Sequence, residues 1–267
     1  MRKQLLRLIA APVPLLATLG LLAAPAQAAT PAYDSTTQYV AMGDSFSSGL
    51  GAPNASLDCG RSPQGYPTLW AQAHGITSFT DVTCGGAVTD DVLAKQISGL
   101  NAQTDVVTIT IGGNDAAWGD KVMTCMLSGD TACTDAVNKA VADLPTVAAK
   151  VDRTYAAIRQ AAPNATVYVL GYPLLFEETA ACSAWLVPNQ YQRKEIDRFG
   201  RALNQTLGQR ASNAGFRFVD AQPFFAGHAV CSSQPWIYPV VNLPAPLHPT
   251  ADGYRLGYLA ALTSATG

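Results

Sequence analysis

Four short stretches of the 267-residue sequence carry side chains that could act together on an acyl group: Gly43-Asp44-Ser45, Cys84-Gly85-Gly86-Ala87, Gly112-Gly113-Asn114-Asp115 and Leu247-His248-Pro249. A serine hydroxyl becomes an effective nucleophile when a base takes its proton. A histidine can take that proton and later hand it to the leaving group. Attack on a carbonyl builds a negative oxygen, which preorganised donors must receive. A glycine lets its backbone N–H come close, and an asparagine amide adds another donor. Ser45 is thus the candidate nucleophile and His248 the candidate base. The N–H groups of Ser45 and of Gly85 or Gly86 and the amide of Asn114 are the candidate oxyanion donors.

Plainer readings exist for each residue. Ser45 taken alone is an ordinary helix N-cap. Gly85 and Gly86 could simply form a turn, as could Asn114, and Asp115 reads as structural. Asp44 adjoins Ser45, and adjacent residues rarely face each other, so its expected role is to stabilise the turn. His228, in a glycine-containing loop near Cys231, is the rival base. His74 ends a helix before Gly75 and reads as a surface or dipole-facing residue. It is the company of all four stretches that favours catalysis for Ser45 and His248. The elbow motif G-x-S-x-G does not apply, because position 47 is Ser.

Residues at strand ends need strands. Tyr39–Met42, Phe79–Thr83, Val106–Ile111, Val167–Leu170 and Phe216–Val219 read as β-strands, and the β-branched run at Val106–Ile111 suits a strand buried on both faces. Helices are expected at Tyr66–His74, with Leu69 and Trp70 inward, and at Thr89–Ile97, with Thr89 as N-cap. Apolar residues at helical spacing predict one long helix over Thr134–Ala161, kinked or restarted at Pro145. Further helices are expected at Gln190–Ala214, ended by Gly215, and at Ala251–Thr263. Strands alternating with helices predict one three-layer α/β/α domain with a parallel sheet. In such sheets ligands sit outside the carboxyl ends of the strands, where three of the four stretches fall.

The start of the chain predicts export. Arg2, Lys3 and Arg7 precede a mostly apolar stretch over Leu5–Leu22, and Ala26-Gln27-Ala28 is an A-x-A cleavage site. Pro12 and Pro14 argue against a membrane anchor. The expectation is a signal peptide over 1–28 and a single mature domain over 29–267. The whole chain carries a net charge of −2, and loss of the leader's three basic residues leaves 14 against 19, or −5. A mildly acidic chain without a basic run is a poor fit for nucleic acid or anionic lipid. Apolar residues make up 48 % and charged residues 13 % of the chain, enough for a sizeable core. Six cysteines, Cys59, Cys84, Cys125, Cys133, Cys182 and Cys231, suggest disulfides in an exported protein. Spacing alone does not choose among their pairings, of which neighbour pairing is the simplest. Without C-x-x-C or clustered histidines, no metal or cofactor is expected.

With these residues in view, the chain resembles the SGNH (GDSL) hydrolases, and more narrowly the secreted lipases and esterases of streptomycetes and related actinobacteria. The resemblance rests on Gly43-Asp44-Ser45-Phe46-Ser47-Ser48-Gly49, Gly86, Ile111-Gly112-Gly113-Asn114-Asp115 and His248-Pro249-Thr250-Ala251. The six-cysteine layout, Gly227-His228 to Cys231 and Pro235-Trp236 extend it over nearly the whole mature chain. It implies a flavodoxin-like sheet, neighbour-paired disulfides and ester hydrolysis. It also implies Ser45 as nucleophile, Gly86 and Asn114 as oxyanion donors and His248 as base. One departure matters. Many members carry Asp three residues before the histidine, where this chain has Ala245, and no carboxylate occurs over 221–251. The expectation is a Ser45–His248 pair steadied by the backbone carbonyl of Ala245 or Pro246, with Asp220 and Asp252 as the competing carboxylates.

Three functions remain distinct at this point. The first is a secreted esterase or lipase acting on fatty acyl or other small-molecule esters, monomeric and without stable membrane insertion. The second uses the same site as a phospholipase A or a polysaccharide deacetylase. The third is a secreted binding protein on a hydrolase fold. The stretch Pro235–Leu247 stays open between ordinary packing and one wall of an acyl groove, with Trp236 as its test position.

Overall fold

The computed structural model describes residues 33–179, 181, 182, 184, 186–242 and 245–267. The leader expected over 1–28 lies outside the described residues. Five strands pair in parallel: β1 (Gln38–Gly43), β2 (Ser78–Asp81), β3 (Val106–Thr110), β4 (Thr166–Leu170) and β5 (Arg217–Val219), in the order β2-β1-β3-β4-β5. This is the flavodoxin-like order, and β1 and β3 flank its switch point. Every residue of β3 is buried, as a β-branched strand with helices over both faces should be.

The helices follow their apolar spacing. They are α1 (Ser45–Ser48), α2 (Tyr66–Ala73), α3 (Thr89–Asp91), α4 (Trp118–Leu127), α5 (Asp130–Ala161), α6 (Gln190–Asn213) and α7 (Leu259–Thr266). α2 and α7 pack together on one side of the sheet, while α4, α5 and α6 form the other layer with α3 beside α5. The described residues form one compact unit.

Several expectations change in detail. α5 runs through Pro145 as a single helix, because that proline removes one N–H without removing the packed face around it. Val88, rather than Thr89, is the N-cap of α3. The Thr89 hydroxyl and N–H instead donate to the Asp115 carboxylate, at 2.7 and 2.9 Å. The helix then widens to a π-turn over Val92–Gln96 before a short 3-10 turn at Ile97–Gly99. A second π-turn, Gly253–Tyr258, precedes α7. α4 was not expected. It buries Trp118, Val122 and Cys125 at helical spacing, but Gly119 and the polar residues between them hide the period.

The cysteines pair as Cys59–Cys84, Cys125–Cys133 and Cys182–Cys231. The first ties the loop after α1 to the Gly86 loop, and the second staples α4 to α5. Each such closure stabilises a chain by about 2–4 kcal/mol.

Strands β1 and β3 end level, with Gly43 opposite Thr110. Gly43 has φ +113°, and a Cβ there would collide with the Thr110 carbonyl. Gly43→Ala is therefore expected to lower unfolding free energy by about 3 kcal/mol or more, from backbone strain and overpacking together. Denaturant titration of the two proteins checks this.

Candidate active site

Ser45 is the first residue of α1, and Asp44 is its N-cap: the Asp44 carboxylate accepts the Phe46 N–H at 3.0 Å. The cap position is thus filled by another residue, and the Ser45 hydroxyl is left for other work. It lies 2.7 Å from His248 Nε2. His248 Nδ1 lies 2.8 Å from the Pro246 carbonyl. A carbonyl only accepts, so the proton sits on Nδ1 and Nε2 faces Ser45 as an acceptor.

The orienting group is thereby Pro246, and Ala245 is set aside. The Ala245 carbonyl accepts the backbone N–H of His248 instead, at 3.3 Å. A peptide carbonyl points only one way, and the turn aims that of residue 246 at the ring. The two carboxylates face elsewhere. Exposed Asp220 caps Gln222 N–H at 3.0 Å, and exposed Asp252 pairs with Arg255 at 2.8 Å.

Burial holds the His248 pKa down at about 4, against which the Pro246 carbonyl acts weakly. The ring of Phe46 packs 4.9 Å from the imidazole, centroid to centroid, and keeps water from one face. The rival His228 is elsewhere: its ring stacks on Trp236 at 3.5 Å and Nδ1 meets the Gln234 carbonyl at 2.8 Å. His74 lies against Trp70, Nδ1 at 2.9 Å from its carbonyl.

Ser45, Gly86 and Asn114 line one cavity. The N–H groups of Ser45 and Gly86 make no hydrogen bond among the described residues. Gly86 has φ +78° with open space where a Cβ would point. Asn114 spends one amide hydrogen on the Ala87 carbonyl, at 3.0 Å, which leaves the other free.

Several residues that hold the site had no sequence signal. The side-chain amide of Gln96 accepts from Gly43 N–H at 2.7 Å and donates to its carbonyl at 3.0 Å, acting as one more residue of strand. Tyr254 donates to the carbonyls of Ser45 and Leu50, at 3.2 and 2.8 Å. Buried Asn204 brackets Tyr172 by bonding its N–H and carbonyl at 2.9 and 2.7 Å. Tyr172 in turn joins two loops. Its hydroxyl donates to Asp44 Oδ2 at 2.5 Å and accepts Gly113 N–H at 2.8 Å.

The site opens on a cavity of 520 Å³ whose apolar lining includes Trp118, Val122, Met123, Leu175, Val240 and Leu247. The first three come from α4. The stretch Pro235–Leu247 divides its roles. Val240, Pro246 and Leu247 line the cavity, whereas Trp236 packs outside it against Phe225 and His228. Residues 236–238 instead clasp the histidine loop. Thr250 N–H donates to the Trp236 carbonyl at 2.8 Å, and Tyr238 N–H to that of His248 at 3.0 Å.

Tyr172→Phe removes the strut between the Asp44 turn and the Gly113–Asn114 loop. Burial already pushes Asp44 up to about 7, with the Tyr172 hydroxyl opposing that rise, so the variant's Asp44 should titrate higher still. Turnover on a small chromogenic ester is expected to fall roughly 10–100-fold with KM little changed. Steady-state kinetics across pH 5–9 check this, and an unchanged kcat would mean that both loops hold without the strut.

Known proteins share this sequence and fold. Residues 41–256 match the GDSL-like lipase/acylhydrolase family. A lipase from Streptomyces rimosus is 44 % identical over 236 residues, covering 86 % of this chain and 87 % of its own. Lipase 1 from Streptomyces coelicolor is 41 % identical over 249 residues, or 91 % of each. Among solved structures, the extracellular lipase of S. rimosus superposes with a TM-score of 0.82 over 86 % of this chain and all of that one. Phospholipase A1 from Streptomyces albidoflavus gives 0.81 at 40 % identity, over 85 % and 98 %. On its matched sequence and its sheet order alike, this chain belongs to the GDSL-like lipase/acylhydrolase family.

Proposed function

We propose that this protein is an exported serine hydrolase of carboxylic esters with long acyl groups, working through an acyl-enzyme on Ser45. The observation that carries the reading is the 2.7 Å contact between Ser45 Oγ and His248 Nε2 at the mouth of the 520 Å³ apolar cavity. The acyl chain enters between α4 and the histidine loop. Ser45 attacks the ester carbon as His248 takes its proton, and the resulting oxyanion receives the N–H groups of Ser45 and Gly86 and the Asn114 amide. His248 then protonates the departing alcohol. Water repeats the sequence and frees the acid.

An aspartate partner would stabilise the imidazolium by a full charge, whereas the Pro246 carbonyl orients the ring with a dipole only. The preorganised donors carry correspondingly more of the catalysis. The cavity favours a long acyl group, since an acetyl group would leave most of 520 Å³ unfilled. This favours lipid esters over acetylated polysaccharides. Relatives bearing the names lipase and phospholipase A1 support the same choice. Export of a mature domain over 29–267 is supported by the leader's composition and by three disulfides, which persist in oxidising surroundings.

Ser45→Ala should reduce hydrolysis of p-nitrophenyl esters by at least about 10³-fold and abolish labelling by a fluorophosphonate. Retained labelling would move the nucleophile elsewhere, and no labelling of the unaltered protein would favour a binding protein. Asp220→Asn and Asp252→Asn should each retain activity within about twofold, where loss of a true triad acid costs about 10⁴. The pH profile gives a separate check. Catalysis needs His248 neutral, and its depressed pKa keeps it neutral down to about 4. The acid limb of kcat/KM for the base should therefore fall near pH 4, and a limb near 6.5 would report an imidazole as well hydrated as the free side chain.

A further inference from the structure

Beside the apolar cavity lies a second one of 300 Å³, and the two meet at Gly86. The Cys59–Cys84 disulfide, Arg61, Lys95 and Asp91 line it. It is close to the reacting serine: a Cβ on Gly85, which also lines it, would lie 3.9 Å from the Cβ of Ser45. The chemistry of the two cavities is opposite. The first presents aromatic and aliphatic side chains, and the second presents two cations.

Both cations have donors to spare. Arg61 Nη1 donates to the carbonyls of Asp81 and Thr83 at 3.4 and 3.3 Å, which anchor the guanidinium at the end of β2 without cancelling its charge. Its acidic partner Asp58 is exposed and stands off at 3.3 Å. Lys95 gives one N–H to Asp91 at 2.8 Å and keeps two. Exposed ion pairs of this kind contribute little, so a better-placed anion can compete for the same donors. Arginine and lysine facing one cavity are the usual receivers of phosphate oxygens. Asp91 tempers the positive field, which suits a singly charged diester better than a dianion.

We propose that the second cavity receives the phosphodiester of a glycerophospholipid whose acyl ester lies at Ser45. This rests on the ester-hydrolase reading and names its substrate class. The acyl chain fills the apolar cavity, the glycerol backbone passes Gly86, and the phosphate meets Arg61 and Lys95. A neutral glyceride makes the first set of contacts and leaves the two cations unmatched.

The test compares two substrates that differ only in the head group, dihexanoyl phosphatidylcholine and dihexanoylglycerol, both kept monomeric. The quantity read is the ratio of their kcat/KM values, which general damage to the enzyme does not move. Arg61→Gln and Lys95→Gln should each lower that ratio about fivefold, and the double variant more. sn-Glycero-3-phosphocholine should compete with a short p-nitrophenyl ester, more weakly against Lys95→Gln, and inorganic phosphate should compete less well than the diester. An unchanged ratio in the double variant overturns the proposal. Equal or better competition by inorganic phosphate overturns it too, since the cavity would then be a general anion site. Ser45→Ala, run alongside, should lose both substrates. Activity surviving there would sink the underlying reading, whatever the ratio shows.

Discussion

The amide of Asp44 donates to the carbonyl of Thr110 at 2.9 Å, and that bond carries the β1–β3 ladder one step past the last paired residues. The chain can turn into α1 immediately afterwards only because Gly43 accepts a backbone angle that other residues resist. The Gly43 carbonyl also receives Cys84 N–H at 3.0 Å, which brings the Gly86 loop to the same edge. Three loops that each carry part of the chemistry are thus gathered by hydrogen bonds of the sheet itself. The switch point of a parallel sheet provides the crevice, and the ladder fixes how deep the serine sits in it.

Around that ladder the site is braced by buried polar groups. Tyr172, Gln96, Tyr254 and Asn204 satisfy backbone and carboxylate groups that burial would otherwise make costly. The same desolvation acts in opposite directions on two ionisable groups. It pushes Asp44 up to about 7 and His248 down to about 4. On folding, the raised Asp44 contributes stability that fades as pH climbs from about 4 to 7. The depressed His248 loses stability as pH falls from about 6.5 to 4. Their opposed slopes flatten the acid side of the stability curve, and His248 stays neutral above about pH 4.

Much of this was legible beforehand because it depends on local rules. All five strands lie within a few residues of their apolar runs, and the long helix and Gln190–Asn213 follow the 3.6-residue period. Asp44 stabilising a turn followed from its adjacency to Ser45. What local rules did not reach were features with weak or mixed pattern. α4 was hidden by Gly119 and by polar residues between its buried positions. Trp236 stood open between ordinary packing and an acyl wall, and its neighbours in space, His228 and Phe225, hold it outside the cavity.

By itself the sequence determined which groups were available: one serine at a strand end, one histidine far along the chain, glycines where close approach is needed, and no carboxylate before that histidine. It also determined that the serine and the two glycine-containing stretches would meet, since a parallel sheet delivers its strand ends to one edge. The tertiary structure alone decided how they meet. Whether the carbonyl of residue 245 or 246 faces Nδ1 depends on a turn clasped by Trp236–Tyr238, and the answer is Pro246. Which apolar side chains enclose the acyl group depends on the placement of α4, and the cation-lined cavity exists only because a disulfide brings Arg61 beside Gly86. Those outcomes are set by contacts between residues distant in sequence, and no periodicity or motif encodes them.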